Sequence, residues 1–236
     1  MGAHSRAKWQ GILTSLLRAP RHCAQEYGAR IGFRGGVNKM IKRLFDIVFS
    51  IIGLTIFLPL LLIVAILIKK EDGGPIFYRG VRVGRYGKLF KMFKFRTMVV
   101  NAEKIGGPST ADDDPRLLKV GKFLRKYKLD EFPQLINVLK GEMSFVGPRP
   151  EVQHYVNMFN EEEKTILSVC PGITDWASLW NPDEGAILSG GTDPEKTYME
   201  KIWPEKKRLQ LKYVKKHNFF LDIKIIFLTI LKIIRR

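Results

Sequence analysis

Two acids stand side by side at Asp130 and Glu131 in the stretch KLDEFPQLINVLKGEMSFVGPRP, residues 128–150. A carboxylate at a helix N-terminus sits at the positive end of the helix dipole, where a hard cation and a diphosphate can meet. Such a carboxylate can also attack phosphorus directly. Arg149 is enclosed by Pro148 and Pro150, with Gly147 allowing a tight approach. A guanidinium fixed in this way can grip a phosphate with two parallel hydrogen bonds. The plainer role for Asp130 is to cap the following helix, with Pro133 in its first turn and Gly141 ending it. Two further sets of residues compete. Asp112 and Asp114 in ADDDPR form a DxD pattern able to hold a metal, or only a turn and cap before Pro115. Lys94 and Arg96 fall on one face of a strand, where they form either a phosphate grip or a solvated surface.

The elements that must carry these groups are short. Residues 75–98 read as two strands around a turn from Gly84 to Gly87. A polar loop follows over 101–114, then a helix over about 115–128. In that helix Leu117, Val120, Leu124 and Tyr127 recur at helical spacing, while Lys119, Lys122 and Lys126 line another side. It is either a basic helix lying on a membrane or a solvated one.

The formal charge of +17 lies at the two ends of the chain. Residues 1–45 hold nine Lys/Arg against Glu26, and residues 201–236 hold eleven against Glu205 and Asp222, whereas the stretch between holds twenty of each sign. Basic ends flanking the most apolar segments point to anionic membrane lipids and not to nucleic acid. Residues 47–68 are an uncharged run long enough to cross a hydrocarbon core of about 30 Å. Lys39, Lys42 and Arg43 precede the run, and Lys69, Lys70, Arg79 and Arg82 follow it, so both flanks carry the cytoplasmic mark. Pro59 lies within it and frees the Thr55 carbonyl. These features predict a re-entrant helix broken at Pro59; the alternative is a simple span. Residues 219–236 are apolar but interrupted by Asp222, Lys224 and Lys232, which predicts a helix lying in the interface or docked on the body.

The fold expected is α+β and mostly helical: a small catalytic domain with a short β-hairpin, a re-entrant proline-kinked membrane helix and interfacial amphipathic helices. Its divisions are a basic N-terminal arm (1–39), poorly ordered or a surface helix without a secretory cleavage pattern, then the membrane helix (40–70), the catalytic domain (71–218) and the interfacial helix (219–236). Cys23 and Cys170 lack any metal-binding spacing, which suggests a reducing compartment and no zinc.

From KRLFDIVFSIIGL through GKLFKMFKFRTM, DDPRLLKVGKFLRKYKLDEFPQLINVLKGEMSFVGPRP and CPGITDWAS to FFLDIKIIFLTILK, the chain resembles the monotopic phosphoglycosyl transferases, the bacterial sugar transferase family. The resemblance covers roughly Met40 to the C-terminus. It implies transfer of a sugar 1-phosphate from a UDP-sugar to a polyprenyl (undecaprenyl) phosphate, with release of UMP, as the first membrane step of glycan or polysaccharide assembly. In this family the acid matching Asp130 is the nucleophile, giving a covalent phosphosugar intermediate. Glu131 completes the dyad, activating the polyprenyl phosphate or supporting Mg2+, for which Asp130 is the ligand carried over. Arg125 and Arg149 match arginines that steady phosphate charge, and Lys94 and Arg96 match a KFR segment. The resemblance also implies a re-entrant helix and a catalytic domain on the cytoplasmic face of the bacterial inner membrane; a homo-oligomer is compatible with it.

The chain departs from the family in places. Leu58 stands before Pro59 where serine is common, the usual PGITGWAQ becomes PGITDWAS with Asp175 and Ser178, and the NGRN segment is replaced near LWNPDEGAIL. Residues 185–210 form a helical connector without an evident role. Two other readings stand beside this one. A nucleotide-sugar glycosyltransferase built on Asp112 and Asp114 would release UDP, and in a non-catalytic membrane-anchored scaffold Asp130 would be only a cap.

Overall fold

The structure, a computed structural model, describes residues 36–105, 110, 114–189 and 193–235; residues 1–35, most of the expected basic arm, and Asp112 fall outside that set. Helix α1 spans Gly36–Asp72, 37 residues, or about 55 Å at 1.5 Å per residue. It starts earlier and ends later than expected, and its helical run continues through Pro59. Its most apolar 18-residue window has a mean hydropathy of 3.1 and is only 11% buried. That surface therefore requires a nonaqueous cover that the other described residues do not supply.

One side of α1 does rest on the body. Near its start, Arg43 donates to the carbonyls of Val138 (2.5 Å) and Leu139 (2.6 Å), and Lys42 to that of Val146 (2.8 Å). Asp46, 4% exposed, accepts from Ser144 Oγ and the Phe145 N–H, both at 3.1 Å. Farther along, Gly53 lies against Leu135, and the Phe57 ring meets Phe132 at 4.6 Å. Toward its end Val64 and Ile68 pack with Phe95 and Leu124. Glu71 accepts from the N–H groups of Lys119 (2.6 Å) and Val120 (3.0 Å), and Asp72 pairs with Arg96. These positions fall mostly three, four or seven residues apart, which marks a single helical face. Leu44, Ile52, Ile56, Leu62, Ile63 and Ile66 on the other faces are exposed.

The body opens with strands β1 (Phe77–Val83) and β2 (Leu89–Phe95), antiparallel, in register from Phe77↔Phe95 to Val83↔Leu89. Tyr86 and Gly87 reverse the chain with φ of 57° and 75°. Helix α2 is confined to Lys119–Lys126. The expected start at Pro115 is lost because that stretch instead pairs with the end of the hairpin, Val99 N–H to the Arg116 carbonyl and Leu118 N–H to that of Thr97, both at 2.9 Å. A 3-10 turn, Leu129–Glu131, leads to α3 (Gln134–Lys140), which ends at Gly141 with φ 80°. Strand β3 (Ser144–Val146) then runs parallel to β4 (Gly172–Thr174). Between and after them lie α4 (Gln153–Val156), α5 (Trp176–Trp180), α6 (Glu184–Leu188) and α7 (Pro194–Thr197).

A π-helical turn, Tyr198–Ile202, feeds α8 (Trp203–Lys216), and α9 (Phe219–Ile234) closes the described chain. Val83, Tyr155, Phe159, Ile202 and Trp203 form one core; Val146, Tyr213, Val214 and Ile225 form another. The architecture is mostly helical with a short antiparallel hairpin, as expected. Two charges in α9 behave differently from the surface-helix reading. Asp222 is buried and receives the Tyr213 hydroxyl (2.7 Å) and Lys42 (2.5 Å), and Lys232 donates to the Leu179 carbonyl. They fasten α9 to the body while Phe220, Phe227, Ile230 and Ile233 face outward.

Candidate active site

The chain leaves α2 at Lys128, whose φ of 56° turns it sharply into the 3-10 turn carrying both acids. Asp130 does not cap α3. The N-cap position is Pro133, and no side chain caps it. Instead Asp130 is 5% exposed, and its Oδ1 has no hydrogen-bond partner among the described residues. A buried carboxylate oxygen left open in this way costs stability, so the burial invites a chemical explanation.

Glu131 is fully engaged. Arg149 grips it with both terminal nitrogens, Nη1 to Oε2 at 3.0 Å and Nη2 to Oε1, and Lys94 Nζ lies 2.8 Å from Oε1. The same ammonium is 3.9 Å from Asp130 Oδ2. The two neighbouring carboxyls are therefore driven apart. Burial pushes Asp130 above the ordinary aspartate range; Lys94 opposes this, the Glu131 charge adds to it, and Arg125 and Lys128 pull it back in part. Burial also disfavours the Glu131 anion, but Arg149 and then Lys94 outweigh it and hold that group well below the ordinary range. Burial pulls the Lys94 ammonium down despite both carboxylates. One acid is thus a fixed anionic anchor, and the other a desolvated carboxyl with one oxygen open.

Arg149 owes its position to a rigid strap after β3. A Cβ on Gly147 would sit 2.2 Å from the Cys170 carbonyl oxygen, so only glycine allows the strap to lie this close to the segment entering β4. The Pro148 carbonyl accepts from the Gly172 N–H at 3.0 Å. The Arg149 N–H donates to Asp175 Oδ2 at 3.2 Å, and Asp175 Oδ1 caps α5 through the Ser178 N–H (2.7 Å) and hydroxyl (2.8 Å). Asp175 and Ser178, seen in the sequence only as departures, are one unit that joins the helix cap to the arginine. An aspartate directly before a helical stretch, a preferred N-cap residue, was the signal for it.

The remaining candidates separate. Arg125 makes no ion pair among the described residues but adds positive potential at Asp130. Arg96 does not join Lys94: it is buried against Asp72 and donates to the carbonyls of Pro75 (2.6 Å) and Met98 (2.9 Å), locking the end of α1 to the hairpin. Asp114 is bound to Arg116 at 2.6 Å, whose hydrogen bonds, and then its charge, hold the carboxyl below the ordinary range; its partner in the DxD lies outside the described residues. Pro59 sits exposed within α1, away from the dyad's contacts. No cluster of three or more His, Cys, Asp or Glu suited to a metal occurs among the described residues. Mg2+, however, is commonly held by one or two carboxylates together with substrate phosphates. The Asp130 carboxylate, which no side chain among the described residues occupies, fits that role, and the occupied oxygens of Glu131 do not.

A family model described as bacterial sugar transferase matches residues 37–236. The chain is 37% identical over 197 residues to a UDP-N-acetylgalactosamine-undecaprenyl-phosphate N-acetylgalactosaminephosphotransferase of Aeromonas hydrophila, covering 82% of this chain and 44% of that protein. It is 38% identical over 205 residues to a UDP-glucose:undecaprenyl-phosphate glucose-1-phosphate transferase of Escherichia coli K12, covering 84% and 41%. It is 36% identical over 195 residues to the uncharacterized sugar transferase EpsL of Bacillus subtilis 168, covering 83% and 88%. The chain therefore spans less than half the length of the first two relatives and most of the third.

Proposed function

Because the chain belongs to the bacterial sugar transferase family, we propose that it transfers a sugar 1-phosphate from a UDP-sugar to a polyprenyl phosphate such as undecaprenyl phosphate, releasing UMP. The observation that carries the chemistry is the contrast within the dyad. Asp130 is buried with Oδ1 open, while Glu131 is held by Arg149 and Lys94. Asp130 Oδ1 attacks the phosphorus nearer the sugar, and the bond from that phosphorus to the oxygen bridging to UMP breaks. UMP leaves with the electron pair, and an aspartyl phosphosugar remains. An oxygen of the polyprenyl phosphate then attacks the same phosphorus and releases Asp130. Glu131 keeps Arg149 and Lys94 in place, and their charges, with that of Arg125, stabilise the negative charge that builds on the phosphoryl oxygens. Bound Mg2+, held by Asp130 with the diphosphate, would neutralise part of that charge.

We place the chain on the cytoplasmic face of the cell membrane with α1 re-entrant. Both ends of α1 contact the same polar body, through Arg43 and Asp46 at one end and Glu71 and Asp72 at the other. A simple span would put those ends on opposite sides of the bilayer, and the body with them. Entry and exit on one face, with the outward residues of α1 and α9 in lipid, keeps every one of these contacts. Anionic lipids would meet the basic charge.

The test is incubation of the full chain with a panel of UDP-sugars and Mg2+, without acceptor. Intact mass should rise by one phosphosugar, and added polyprenyl phosphate should discharge it with UMP as the nucleotide product. Release of UDP without an adduct, or an adduct persisting in Asp130→Asn, would sink the proposal.

A further inference from the structure

Helix α8 carries a buried polar stripe that the dyad itself does not use. Lys206, Gln210 and Tyr213 are spaced i, i+4 and i+7, on one face, and are 4%, 0% and 2% exposed. Each meets the Arg149 strap at a successive point. The Tyr213 hydroxyl, whose proton goes to Asp222, lies 3.2 Å from the Val146 carbonyl, Gln210 Nε2 donates to the Arg149 carbonyl at 3.4 Å, and Lys206 Nζ lies 2.8 Å from Glu151 Oε1. The same ammonium lies 3.0 Å from Glu184 Oε1 and donates to the Tyr198 hydroxyl at 3.1 Å. Two ion pairs and one hydrogen bond thus surround this buried cation.

The arrangement straddles Arg149. Glu151 follows it across Pro150, whose ring removes backbone freedom between the two. Glu184 starts α6, pairs with Lys206, and its charge also acts on Arg149. Glu131 receives the guanidinium in front. Charges thus alternate from Lys94 through Glu131, Arg149 and Glu184 to Lys206. We propose that Lys206 is a positioning residue for Arg149: by drawing Glu151 and Glu184 onto α8, it fixes the strap from behind and aims the guanidinium fork at Glu131 and the reacting phosphate. The residue 185–210 connector thereby acquires a role. The kinetic consequence rests on the phosphoglycosyl transfer reading, whereas the structural consequence does not.

The test uses the full chain in lipid nanodiscs, with Lys206→Met, Lys206→Arg and the triple variant Glu151→Gln/Lys206→Met/Glu184→Gln. The triple variant removes the charges together, so no buried ion is left unpaired and the fold is kept. The first readout is the guanidinium Nε–H resonance of Arg149 in 15N spectra, identified by its loss in Arg149→Lys, with buried Arg96 as an internal control. The second is kcat and KM for UMP release. In the triple variant the Arg149 resonance should move while that of Arg96 does not. Its kcat should fall by about 100-fold, the cost of misplacing a reacting-site group by about 1 Å, with KM changed by less than about threefold, the pattern of a transition-state contact. Lys206→Arg should recover most of the loss. An unmoved Arg149 resonance, or kcat within about threefold of wild type, overturns the proposal. Absence of UMP release by the wild type with every UDP-sugar would instead refute the functional reading, and the resonance alone would then decide the role of Lys206.

Discussion

Asp130→Asn should abolish turnover and at the same time make the protein more stable. The substitution keeps the side-chain shape and removes the buried charge. At 3.9 Å, the attraction of Lys94 for Asp130 is about 4 kcal/mol at an effective dielectric constant of 20. The desolvation of a buried carboxylate is also several kcal/mol, and repulsion from Glu131 adds to it. The net balance opposes the charge, since Asp130 is held above its ordinary range with burial as the leading cause. Lys94 is not orphaned by the change, because Glu131 remains 2.8 Å away. A gain of about 0.5–2 kcal/mol is typical when a functional cost of this kind is relieved, which raises Tm by about 2–4 °C per kcal/mol in a chain of this size.

The pH dependence fixes the sign. A carboxyl whose folded pKa is raised favours the folded state while protonated, and that contribution is lost as pH climbs from the ordinary value of 3.8 through the raised one. The advantage of Asp130→Asn should therefore be small at the acid end of that window, widen across it and level off above. The acid limb of kcat/KM in the wild type should likewise lie above 3.8, since the attacking group must be ionised. The measurement is thermal unfolding of both proteins in identical lipid discs from pH 4 to 8, beside UMP release. A variant less stable than wild type at neutral pH, or an advantage independent of pH, would refute the electrostatic reasoning.

Arg149→Lys keeps the charge but loses the two-pronged grip on Glu131, and should lower kcat by about 10²–10³, the cost of one lost donor to developing charge; activity within a few-fold of wild type would argue against the phosphate clamp. Glu71→Ala strips α2 of its cap at Lys119 and Val120 and should cost about 1 kcal/mol, read as a lower Tm with the chemistry unchanged in kcat. In a background with Cys23 and Cys170 replaced, single cysteines at positions 39 and 70 should both react with an impermeant thiol reagent from the cytoplasmic side; labelling from opposite sides would exclude re-entry.

The parts of this architecture that were legible in the sequence are those with a strong local signal. The 22-residue run of residues 47–68 announced α1, Gly84 to Gly87 announced the hairpin turn, and the ordered central motif marked Asp130, Glu131 and Arg149. What escaped was set by tertiary partners. Strands β3 and β4 have three residues each, too few to show an alternation. Arg96 shares a strand-face pattern with Lys94, yet Asp72 at the end of α1 claims it. Asp222 and Lys232 look like the polar side of a surface helix until Lys42 and the Leu179 carbonyl appear beside them. Lys206 was one cation among many in a basic segment; only folding brings Glu151 and Glu184 to it.

The seam along α1 has a consequence for how such a chain can vary. An ordinary membrane anchor tolerates added or lost residues, because only its length and greasiness matter. Here a single residue inserted near Gly53 would turn the rest of α1 by about 100° and advance it by about 1.5 Å. Val64, Ile68, Glu71 and Asp72 would then swing off the body, and α2 and Arg96 would lose their partners. This long apolar helix is therefore keyed like a strand in a sheet, and its length is as constrained as that of any core element.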